Sequence, residues 1–96
     1  MKFEWDAHKN LENQKKHKIS FELAAEVFKD PWALSIEDQV SDGELRFWTI
    51  GRLENLVIIV VVHTYRDRED EEVIRIISSR KATPRERRFY EEDNAQ

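Results

Sequence analysis

Proton transfer in this chain falls to a short list of side chains: His8, His17, His63, Tyr90 and the carboxylates. His17 directly follows Lys15 and Lys16, and an imidazole beside two cations is a candidate general acid or base. The competing reading is an imidazolium that closes a helix and complements its dipole. His63 ends a strongly apolar run, where a histidine is more often a buried, hydrogen-bonded core residue. Glu22 falls in the first turn of a helix, where a carboxylate complements the dipole without any role in chemistry. Arg46, Trp48, Ile50 and Arg52 alternate along one stretch, so an extended backbone puts them on one face. An aromatic flanked by two arginines suits a nucleotide, because the base stacks and the phosphates pair. It also suits a protein interface, where Trp and Arg dominate the binding energy.

Other chemistries are excluded by what is missing. The chain has no cysteine, so no thiolate metal site or disulfide framework is open to it. It carries no H-E-x-x-H, no glycine-rich phosphate loop and no G-x-S-x-G elbow, which argues against metalloprotease, nucleotide-binding and serine hydrolase activities. The three histidines lack metal-ligand spacing, so neither a metal nor a cofactor is expected. No apolar run approaches the roughly 20 residues of a membrane helix, and no signal-like stretch opens the chain; a cytoplasmic protein with no membrane contact is expected.

The formal net charge of −4 over 96 residues hides an uneven distribution. Residues 21–45 are strongly acidic, whereas Arg75, Arg80, Lys81, Arg85, Arg87 and Arg88 crowd into 73–90 against Glu86 alone. Arginine grips phosphate bidentately where lysine acts as a point charge, so this cluster is a candidate nucleic-acid contact in an otherwise acidic protein.

The elements that must position these residues read as α+β. Residues 1–90 form one domain and 91–96 an acidic tail. Phe3, Glu4 and Trp5 form a short strand or an extended entry. Asp6 caps a polar helix to about His17, with a thin stripe of Ala7 and Leu11. Ser20 caps a second helix whose Phe21, Ala24, Ala25 and Phe28 keep helical spacing, and Asp30-Pro31 stops it. The period then changes to 2. Strands are expected at 33–38, 45–53, 56–65 and 73–80, the third apolar on both faces and therefore central. Turns fall at Ser41-Asp42-Gly43 and Glu54-Asn55, and Arg66 to Glu72 forms an exposed loop. Thr83-Pro84-Arg85-Glu86 is a capping box with proline at the first helical position; the helix it opens dissolves at Glu91-Glu92-Asp93. The expected architecture is two N-terminal helices, a four-stranded antiparallel sheet and a C-terminal helix.

In order along the chain, Phe3-x-Trp5-Asp6-x-x-Lys9-x-x-x-Asn13-x-x-Lys16-His17-x-Ile19-Ser20-Phe21-Glu22-x-Ala24-x-x-Val27-Phe28-x-Asp30-Pro31, then Glu44-x-Arg46-Phe47-x-x-Ile50-Gly51, Val60-Val61-Val62-His63-Thr64 and Arg75-Ile76-Ile77-Ser78-x-Arg80-Lys81-Ala82-Thr83-x-x-Glu86-Arg87-x-x-Tyr90 resemble the BrnT family of toxins over nearly the whole length. Lys18 stands where that family usually has glycine, and Ser79 where it usually has alanine. The first departure bears on the turn after the first helix; the second is expected to change little.

The resemblance implies a RelE-like fold and a type II toxin–antitoxin ribonuclease that attacks RNA with the substrate's own 2′-hydroxyl and needs no metal. It implies His17 or Glu22 as base and His17 or Lys16 as acid. Arg46, Arg52 and Arg80 would hold phosphate, with Trp48 and Arg85 binding RNA alongside, and Arg80 is foremost among the cations. The implied partners are a cognate BrnA-like antitoxin and an RNA substrate, with operator DNA reached only through the antitoxin complex. A non-catalytic nucleic-acid-binding or protein-interaction module is the alternative.

Overall fold

In the computed structural model, which describes residues 1–94, the elements follow as β1 (Lys2–Glu4), α1 (Ala7–His17), α2 (Phe21–Ala24) continued by a 3-10 turn over Ala25–Lys29, β2 (Leu34–Ser41), β3 (Glu44–Arg52), β4 (Ile58–Tyr65), β5 (Val73–Lys81) and α3 (Pro84–Asp93). The sheet order is β1-β5-β4-β3-β2. Strands β2 to β5 form the antiparallel meander that the alternating pattern predicts. The expected four-stranded antiparallel sheet is corrected by β1, which pairs parallel with β5, Lys2 against Val73 and Glu4 against Arg75. The sheet is therefore five-stranded and mixed. Helix α3 continues through Asp93, past the expected end near residue 90; positions 95–96 of the acidic tail lie outside the described residues.

The third predicted strand is the central one. Ile59, Val60 and Val61 on β4 are all fully buried, because both faces of this strand are covered. On one face, Ile59, Val61, Ile74 and Ile76 pack against Ile19, Phe21, Ala24 and Val27. The approach is close at Gly51 on β3, where a Cβ would lie 2.5 Å from Val27 Cγ2, so glycine alone fits without displacing the turn. On the other face, Ile50, Ile58 and Val60 meet Tyr90 of α3. Further along this second face Arg46, Val62, Arg75 and Ser78 are only half-buried.

Helix α1 is held differently from what its sequence suggests. Asp6 caps it, accepting from the Lys9 amide at 3.0 Å, but Leu11 of the thin apolar stripe is 58% exposed. The buried residues are Asn10 and Asn13. Asn10 Oδ1 accepts from the Phe21 amide, and Asn13 Nδ2 donates to the Ile19 carbonyl, so two carboxamides tie the helix to the segment after it. Lys18 ends the helix in the left-handed region at φ 62°, its amide donating to Gln14. The turn expected of glycine is thus kept with a lysine in it.

Candidate active site

Alternation on β3 places Arg46, Trp48, Ile50 and Arg52 on one face, as the spacing predicts: Trp48 lies opposite Val62, Ile50 opposite Val60 and Arg52 opposite Ile58. On β5, Ser78 lies opposite Val62 and Arg80 opposite Val60, so both share that face. Lys81 lies opposite Ile59 and faces the other way.

Trp48 is fixed on two sides. Its indole N–H donates to Asp38 at 2.9 Å, and the Arg80 guanidinium sits 5.4 Å from the ring centroid. Arg80 is committed further: Nη1 and Nη2 donate to the two oxygens of Glu86 at 2.7 and 2.9 Å. Glu86 is also the capping-box glutamate, accepting from the Thr83 amide at 2.9 Å. The hydrogen-bonded Arg80 holds the Glu86 carboxyl down at about 2, and Glu86 in turn raises Arg80. The helix cap and the arginine are one assembly. Ile36, Trp48, Ile50, Thr83, Arg85, Glu86 and Phe89 line a groove of about 400 Å³ beside it.

Arg46 is placed in the opposite way. It is half-buried, no carboxylate among the described residues forms an ion pair with it, and its buried Nε has no hydrogen-bond partner. Its neighbours are saturated. Arg66 binds Glu44 through two bonds of 2.9 and 2.8 Å. Glu4 takes Arg75 at 2.9 Å and Arg68 at 2.8 Å. Partial burial opposes the charge on Glu4, but Arg75 and Arg68 win and keep its carboxyl below the ordinary range. The Arg66 bond does the same for Glu44. Sequence reasoning passed over this network, because β1 brings Glu4 to Arg75 only through the parallel pairing.

Lys16 and His17 enter from the side. They line a cleft of about 280 Å³ between α1 and β5, with Lys9, Glu12, Asn13, Ile77 and Ser78. Ser78 thus joins that cleft to the face carrying Arg80. Glu22 is not brought to this face. It is exposed on α2, accepting from Asn10 Nδ2 at 2.8 Å, and that bond lowers its pKa. Arg52 is exposed and lines a separate cleft with Glu26, Lys29, Asp30 and Glu54. Arg85 lines the groove beside Trp48.

The remaining proton carriers have structural partners. His63 is fully buried, with Nε2 2.7 Å from Thr49 Oγ1 and aromatic contacts to Phe28, Phe47 and Tyr65; burial pushes it down to about 4. Tyr90 donates to Asp30 at 2.6 Å, and burial with that bond raises its phenol to about 12. His8 pairs with Glu12 at 2.7 Å on the exposed side of α1. Among the described residues no helix is long and apolar enough to cross a membrane, and no three His, Asp or Glu side chains converge as metal ligands.

No curated protein sequence matches this chain. A family model described as the ribonuclease toxin, BrnT, of type II toxin–antitoxin systems matches residues 5–86. The crystal structure of the Brucella abortus ribonuclease toxin BrnT is similar, with 28% sequence identity, a TM-score of 0.61, and coverage of 86% of this chain and 97% of that one. Because the family match takes in most of the sequence, including the arginine-bearing strands β3 and β5, the chain belongs to the BrnT family of ribonuclease toxins of type II toxin–antitoxin systems.

Proposed function

We propose that this protein is an endoribonuclease that cuts RNA without a metal ion, using the substrate's 2′-hydroxyl as nucleophile. One observation carries this reading: a half-covered sheet face where Arg46 lacks a carboxylate partner among the described residues, on the same face as Trp48 and Arg80. In the step, the 2′-hydroxyl gives its proton to a base and bonds to phosphorus. The 5′-oxygen leaves with a proton from an acid, giving a 2′,3′-cyclic phosphate and a 5′-hydroxyl. His17 and Lys16, in the cleft that ends on Ser78, are the groups we assign to proton transfer. Arg46 and Arg80 meet the charge that develops on the equatorial oxygens. Trp48 and Arg85 hold flanking nucleotides.

The test is cleavage of a labelled RNA by the purified protein in EDTA. Cleavage persisting there, with a cyclic phosphate end on the product, fits the reading. Loss in chelator and recovery with a divalent ion removes it.

The partner we assign is a BrnA-like antitoxin that brings the complex to operator DNA, in a cytoplasmic system related to RelE toxins. Support comes from β2, which forms one edge of the sheet, is exposed along nearly its whole length and carries Val40 at 64% exposure. An open strand edge with apolar side chains is a ready surface for strand addition.

A further inference from the structure

Phe89 is 49% exposed on α3 and lines the 400 Å³ groove together with Trp48. An exposed phenylalanine with no core to enter lies beside an indole locked by Asp38 and Arg80. The polar groups of the groove are equally distinctive. Both Glu86 oxygens are taken by Arg80, and one of them also by the Thr83 amide. Arg85 forms no ion pair or hydrogen bond with any described residue, and Thr83 Oγ accepts from the Glu86 amide, which leaves its O–H to donate. What the groove offers a ligand is apolar surface, aromatic from Trp48 and Phe89 and aliphatic from Ile36 and Ile50, with Arg85 and the Thr83 hydroxyl as donors.

We infer that this groove is a nucleobase subsite that selects guanine through Arg85. The inference rests on the ribonuclease reading and adds to it the identity of the base. A planar base gains stacking surface from Trp48 and Phe89. Arginine's fork needs two adjacent acceptors, which guanine supplies as O6 and N7. Adenine pairs each ring acceptor with an amino donor or leaves it alone, and uracil separates its two carbonyls with an N–H. Cytosine has two adjacent acceptors but only one ring to stack.

The test uses 5′-labelled 2′-O-methyl oligonucleotides, which lack the attacking hydroxyl, differing in a single base, with binding read by fluorescence anisotropy. The wild type binds the guanine oligonucleotide about tenfold more tightly than the adenine one. Arg85→Gln erases that preference, and Phe89→Ala weakens every oligonucleotide by roughly tenfold; both changes are on the surface, and circular dichroism checks their folding. Binding without base preference, or with another base preferred, overturns the guanine subsite and leaves the ribonuclease reading standing. Failure to bind any oligonucleotide overturns both. If Phe89→Ala abolishes antitoxin capture and leaves oligonucleotide binding intact, the groove belongs to the protein partner and the inference is wrong.

Discussion

Asn13 on α1 grips Ser79 on β5 with both ends of one carboxamide: Nδ2 donates to Ser79 Oγ at 2.7 Å and Oδ1 accepts from the Ser79 amide at 3.2 Å. The same Nδ2 reaches the Ile19 carbonyl, so one side chain joins helix, strand and turn. Asn13→Ala strips a buried amide and a carbonyl of partners and should cost about 2–3 kcal/mol, lowering Tm on the order of 10–20 °C. Ser79→Ala, the family's usual residue, keeps the amide bond and should cost at most about 1 kcal/mol. Thermal melts of the two variants decide this. The Ser79 hydroxyl is thus part of the clamp, a contact that alanine would not make.

Lys18 holds a left-handed conformation at φ 62°. A side chain with a Cβ is disfavoured there by roughly 1 kcal/mol, and glycine is not. Lys18→Gly should raise the urea midpoint by an amount worth about 1 kcal/mol at an unchanged m-value, and Lys18→Ala should not. Equal midpoints for all three proteins would mean that the turn carries no strain.

Arg46 and Arg80 should separate when activity and stability are measured together. Arg46→Ala breaks no ion pair among the described residues, so stability should move by less than about 1 kcal/mol, while RNA cleavage falls on the order of 10²–10³. Arg80→Ala leaves Glu86 without its bidentate partner and should lose both activity and about 1–2 kcal/mol. Arg80 thus serves the fold through Glu86 as well as lying over Trp48 beside the groove. Lys81→Ala, on the other face, should cleave normally.

Acid should weaken the fold in two stages. Burial holds His63 neutral down to about 4 against an ordinary value of 6.5. The unfolded chain then binds more protons, so stability is whole above pH 6.5 and is lost as pH falls toward 4, by as much as ~3 kcal/mol. Glu86, held at about 2 against 4.5, adds a loss from pH 4.5 downward. Urea unfolding at stepped pH shows both, and His63→Gln should flatten the upper stage alone. A wild type equally stable at pH 7 and pH 4.5 contradicts this.

Local patterns made much of the fold legible. The alternation of β3 and β5 gave the correct face for Arg46, Trp48 and Arg52, and the capping box at Thr83 is present as read. Asp30-Pro31 does end the second helical segment, although its second turn tightens to 3-10, with Val27 fully buried and Ala25 and Phe28 half-buried against the same core. What escaped was non-local. A short strand around Phe3 and Glu4 is legible, but its parallel pairing with β5 is not, and α1 docks through asparagines, which hydropathy counts as solvent-facing. Arg80 illustrates the limit for the site: a capping glutamate three residues past its N-cap is visible, but its second engagement with an arginine on the neighbouring strand is a property of the folded chain.

The parallel pairing of β1 with β5, and the clamp of α1 on Ser79, also set a clock. The first thirteen residues find their places only once residues 73–79 have left the ribosome, and contacts so distant in sequence form slowly. The sheet that carries Arg46 on β3 and Arg80 on β5 is therefore complete only when β1 has met β5.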